Sequence, residues 1–140
     1  MAWQQDLSSF VGFGADCASC LRAVGWLERG RSFLTGPVKV AVYEKLLELL
    51  RDPWEPVVAM GLHNCDLCQY EGPPGSRNLY IPGDGIAFVC PELIAHFMNA
   101  HGYRPPDEFC TAVLACPPMR SQSYLKSILQ VARPLVRSIG

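Results

Sequence analysis

Asn78-Leu79-Tyr80-Ile81-Pro82-Gly83-Asp84-Gly85-Ile86-Ala87-Phe88-Val89-Cys90 is the stretch that decides how this chain folds. Two apolar, partly β-branched runs, Asn78 to Ile81 and Ile86 to Cys90, flank Pro-Gly-Asp-Gly, which supplies the residues a hairpin turn requires. Two antiparallel strands are predicted. Directly behind them, Pro91 suits a first helical position, where its missing N–H would have no partner anyway, and Glu92 favours the positive end of a helix dipole. Leu93, Ile94, Phe97 and Met98 form an apolar stripe and Gly102 is a natural C-terminal cap, so a helix is predicted from about Pro91 to His101.

Working outward, Val38, Val42, Tyr43, Leu46, Leu47, Leu49 and Leu50 follow helical spacing, with charged residues at most of the remaining positions. Asp52-Pro53 should end this helix, because the residue before a proline is pushed out of the helical region. Leu21 to Leu27 reads as a short strand weakened by Gly25, and Val57 to Met60 as another. Asp107 to Cys116 reads as a short helix, and Ser123 to Ser138 as a last amphipathic helix bent or ended near Pro134.

The fold class that follows is α+β: a small, largely antiparallel sheet packed with helices, in one domain over residues 1–140. A length of 140 residues suits a single core. The chain is 49% hydrophobic and 18% charged, too apolar for a disordered chain, and holds no apolar run long enough to span a membrane. Twelve basic residues against thirteen acidic ones leave a net charge of −1, which removes the electrostatic case for a general polyanion binder. Residues 61–119 carry Arg77 and Arg104 against six acids, a surface that repels phosphate, so no nucleic-acid partner is expected. The closing segment, with Arg120, Lys126, Arg133, Arg137 and no acid, reads as a helix with a solvated basic side.

Seven cysteines are an odd number, and Met1 to Phe10 lack the basic start and apolar run of a secretory signal, so a cytoplasmic location is expected. In a reducing compartment a Cys-x-x-Cys pair reads first as a metal knuckle or redox pair. Cys65-Asp66-Leu67-Cys68 presents two thiolates to one tetrahedral ion, and His96 and His101 on the predicted helix fall within the spacing that completes small zinc sites. Two thiolates cancel the charge of Zn2+, and neutral imidazoles add none. The module would occupy about residues 61–102.

Residues five apart in an ideal helix point about 140° away from each other, so His96 and His101 converge only if the last turn is irregular, which Gly102 permits. His63 or Cys90 could take the place of one of the four, although a supporting hydrogen bond and a buried thiol are their ordinary roles. Cys17-Ala18-Ser19-Cys20 is a second knuckle, which with Cys110 and Cys116 could compose a four-cysteine site or a dithiol switch. Small buried cysteines are the plainer reading, since a thioredoxin-type pair follows a strand and this one precedes it.

Cys65, Cys68, His96 and His101 around a predicted hairpin resemble the strand-strand-helix module of Cys2His2 zinc fingers, or a treble-clef-like knuckle. The 27 residues between Cys68 and His96 exceed the usual finger insert and argue against a DNA reader. Val24 to Glu28, Gly61 to Cys68 and His96 to Pro106 also look like a family of uncharacterised bacterial proteins, a resemblance that implies zinc and supplies no reaction. Four protein ligands would close the coordination sphere, whereas a catalytic zinc keeps one position for water. A structural zinc in a protein-interaction module, with a protein partner of unknown identity, is therefore expected. The alternative is a metal-dependent hydrolase with an open site, using Asp66, Glu71 or Glu92 as base.

Overall fold

The computed structural model describes residues 3–10, 20–55, 64–68, 75 and 77–137. Its elements are β1 (Leu21–Ala23), α1 (Val40–Leu49), β2 (Asn78–Pro82), β3 (Ala87–Pro91), α2 (Ile94–His101), α3 (Asp107–Ala115) and α4 (Gln122–Arg137). The α+β class holds. The strand expected at Val57 to Met60 lies outside the described residues, as do Cys17, His63 and Glu71.

The hairpin forms as its turn residues dictate. β2 and β3 pair antiparallel from Asn78 opposite Pro91 to Pro82 opposite Ala87, and Gly83 N–H donates to the Ile86 carbonyl (2.7 Å). Pro82 and Pro91 end the two strands, where a missing N–H does least harm to the ladder. Every residue of β3 and four of the five in β2 are buried, so the hairpin is covered on both faces.

The sheet is mixed rather than largely antiparallel. β3 is its central strand, and β1 pairs parallel to β3 with Leu21 opposite Ala87 and Ala23 opposite Val89. β1 ends at Ala23, four residues before the strand expected to Leu27, because Gly25 turns the chain with a φ of +80°. A side chain there would be strained and would meet Ile94 of α2 at 3.1 Å. The open side of β1 is lined by the segment before it: Leu7 N–H donates to the Ala23 carbonyl and Phe10 N–H to the Leu21 carbonyl, which blunts a free edge.

The helices close the core. α1 packs on α2 and α3, α3 also on β2, and α4 on β2 and β3. α1 buries Val42, Leu46 and Leu49, the 3–4 spacing read from the sequence, and stops before Asp52-Pro53. α2 begins at Ile94, not at Pro91: the Glu92 N–H is engaged by the Arg77 carbonyl (2.9 Å), so strand pairing continues one residue beyond Pro91. α4 runs to Arg137, so it does not end at Pro134. Its Tyr124 and Ile128 are fully buried, and the Tyr124 hydroxyl donates to the Tyr80 carbonyl (2.6 Å). Trp54 stands edge-on to both Tyr80 and Tyr124, at 6.1 and 5.9 Å between ring centroids. Among the described residues no helix is long and apolar enough to cross a membrane.

Candidate metal centre

The hairpin carries the chain from the Cys65–Cys68 knuckle to α2, and the last turn of α2 departs from regular geometry as His101 requires. Gly102 adopts the left-handed conformation (φ 66°, ψ 19°). Both its N–H and that of Tyr103 donate to the Phe97 carbonyl, five and six residues back, where a regular helix would reach back four. This end of the helix is then fixed from outside. Gly36 N–H donates to the Gly102 carbonyl (3.2 Å) and Arg104 N–H to the Leu34 carbonyl (2.9 Å), with Thr35 bridged to Tyr103. The imidazoles of His96 and His101 consequently lie 5.1 Å apart between centroids, with their planes at 82°.

The four residues selected by spacing meet. The Cys65 and Cys68 sulfurs are 3.7 Å apart. Cys68 Sγ is 3.4 Å from His96 Nε2, and Cys65 Sγ is 3.4 Å from His101 Nε2. All four donor atoms lie within 4.8 Å of one another, and among the described residues this is the group that could hold a metal ion. A tetrahedral ion bonded at about 2.3 Å to sulfur and about 2.0–2.1 Å to nitrogen separates two sulfurs by about 3.8 Å and sulfur from nitrogen by about 3.6 Å. The sulfur–sulfur separation and the two short sulfur–nitrogen separations match such a site to within about 0.2 Å, and all four donors lie close enough to share one ion.

The electrostatics agree with that fit. Burial pushes the Cys65 thiol up, and burial followed by the neighbouring His101 pushes His96 down. The lowered imidazole is neutral and offers a lone pair. The raised thiol holds its proton unless a cation stabilises the thiolate, which makes proton release part of binding. Two sulfurs and two imidazole nitrogens brought together in this way are a donor set suited to zinc.

One positioning contact has no signal in the sequence. Asp66, in the middle of the knuckle, accepts from Arg29 twice: its carboxylate Oδ1 from the Arg29 backbone N–H (3.2 Å) and its main-chain carbonyl from the Arg29 Nε (2.7 Å). The two are 37 residues apart, and neither contact follows from spacing. Asp66, a candidate base in the hydrolytic alternative, is thus a tie between the knuckle and the loop that follows Trp26 and Leu27.

The other candidates stand apart from the cluster. Cys90 is fully buried on β3, opposite Leu79, and burial holds its thiol well above the ordinary range. Cys110 turns its sulfur toward the Pro105 carbonyl (3.8 Å), and Cys116 toward that of Pro117 (3.3 Å), with the Cys116 thiol pushed up to about 11 by burial. Cys20 is disulfide-bonded and has no free thiol to offer a four-cysteine site.

The family model described as "Domain of unknown function (DUF7919)" matches residues 2–114, a span that includes all four cluster residues and stops before α4. No curated protein and no solved structure matches the chain.

Proposed function

We propose that this chain, which belongs to the DUF7919 family, is a zinc-binding protein in which Cys65, Cys68, His96 and His101 hold one structural Zn2+. The observation that carries the reading is the meeting of four donor atoms within 4.8 Å of one another, two from a knuckle and two from α2. When bound, the ion supplies a cross-link between segments about 30 residues apart, so that binding free energy becomes folding free energy of the knuckle. The chain's own part is to hold the geometry. Gly102 and the Phe97 carbonyl aim His101, and Arg29 holds the knuckle through Asp66.

The protein works through association with a protein partner rather than by catalysis. Four protein donors fill a tetrahedron and leave no corner for reactive water. Exposed Val40 and Leu47 on α1 and Leu114 on α3 provide apolar surface of the kind such contacts use. We place the protein in the cytoplasm. Among the described residues five cysteines are free thiols, the state a reducing compartment maintains, and the disulfide at Cys20 is the feature that pulls the other way.

Native mass spectrometry of the purified chain tests the assignment. One zinc per chain is expected, lost in Cys68→Ser and in His96→Ala. A cobalt-substituted sample should give a tetrahedral spectrum unchanged by added anions. Retention of metal in both variants, or a spectrum that responds to anions through an exchangeable water, would reject the closed site and favour the hydrolytic alternative.

A further inference from the structure

Asp6 is a half-buried carboxylate in the segment that pairs with β1. Its Oδ1 accepts the Gly25 N–H (2.9 Å) and its Oδ2 accepts the Tyr103 hydroxyl (2.7 Å). Among the described residues no cation pairs with it. The nearby Arg31 lies over the Trp3 ring, 4.4 Å from its centroid, and its charge is opposed by Glu28 at 3.9 Å. Burial, the largest influence on Asp6, pushes its pKa up, against the two hydrogen bonds that favour the carboxylate. Two hydrogen bonds leave each carboxylate oxygen with a further acceptor site.

Asp6 lines a cavity of about 510 Å3, within the size range of small-ligand pockets. Trp3, Leu7, Leu27, Phe33 and Leu34 supply apolar walls, and none of the four metal-centre residues takes part. The aromatic walls are held in place: Trp3 by the Arg31 guanidinium, and Phe33 by an edge contact with the buried Tyr103 at 6.1 Å. An anion entering the cavity would meet an unpaired carboxylate. A neutral guest would leave that charge uncompensated, whereas an ammonium would satisfy it while its apolar body lies against the cavity walls.

We propose that this cavity binds a small primary amine on an aromatic or similarly apolar body, with Asp6 as the counter-charge. The site is independent of the metal assignment. Its test is an NMR titration of the purified full-length protein, following the Gly25 and Phe33 amide signals. Phenethylamine, 2-phenylethanol and 3-phenylpropionate serve as cationic, neutral and anionic probes on one ring. Saturable shifts are expected with phenethylamine, which should bind about ten-fold or more tighter than either of the others, the range of a hydrogen bond to a charged group. Asp6→Asn keeps an oxygen for the Gly25 N–H and should abolish the preference. Phe33→Ala should weaken phenethylamine whether or not the Asp6 variant folds. Absence of saturable shifts, equal binding of the three probes, or binding unaffected by Phe33→Ala or by a folded Asp6→Asn would overturn the proposal.

Discussion

The corner where Trp54, Tyr80 and Tyr124 meet and the knuckle at Cys65 to Cys68 are held by opposite means. In the first, Tyr80, Tyr124 and Ile128 are fully buried and Trp54 nearly so, and order follows from apolar area removed from water. In the second, Asn64 and Asp66 are exposed, Leu67 and Cys68 are half-buried, and only Cys65 is buried. So little apolar surface offsets little of the entropy of fixing these five residues, and the proposed zinc cross-link would supply the rest. The difference separates the part of the molecule that depends on composition from the part that depends on four particular side chains.

The sharpest way to break the comparison is Cys65→Ser. Zinc binding free energies in small zinc modules are on the order of 10 kcal/mol, so the variant should lose stoichiometric metal and amide protection in the knuckle and at the end of α2. The β2–β3 ladder should keep its protection, and hydrogen exchange followed by mass spectrometry reads both regions at once. Ile128→Ala addresses the other side. It should cost about 2–5 kcal/mol of global stability by urea denaturation while leaving metal content unchanged, because its cavity opens in the dry corner.

Smaller effects sharpen the contrast. Arg29→Ala removes the Nε donor to the Asp66 carbonyl and should weaken zinc by roughly ten-fold in a competition with a chromophoric chelator, with the metal still bound. Tyr80→Phe should be neutral or stabilise by up to about 1 kcal/mol, since the Tyr80 hydroxyl is buried with no hydrogen-bond partner among the described residues and its removal relieves an unmet desolvation cost. A loss above that magnitude would show that the hydroxyl has a partner when the protein is in solution.

What could be read in advance divides along similar lines. The hairpin, α1 and α3 were legible because period, turn residues and breakers all lie within a dozen residues of one another. The cluster was legible because knuckle and histidine spacing are chemical constraints, and the irregular end of α2 followed from the 140° problem and Gly102. Contacts between distant segments were not. The parallel pairing of β1 with β3 joins residues 66 positions apart, as Leu21 and Ala87 show, and no local pattern encodes it. The start of α2 was misplaced at Pro91 because the Glu92 N–H, two positions before Ile94, had a strand partner in Arg77, a preference stronger than proline's for a first helical turn. The Arg29 tie to Asp66 and the Asp6 contacts with Gly25 and Tyr103 likewise depend on how loops meet across the fold.

X-ray absorption at the zinc edge of the protein as purified tests the central claim most directly. The account predicts one zinc per chain, with a first shell of two sulfurs at about 2.3 Å and two nitrogens at about 2.0 Å. A sample with no bound metal, or a shell in which oxygen replaces a thiolate or an imidazole, would contradict it.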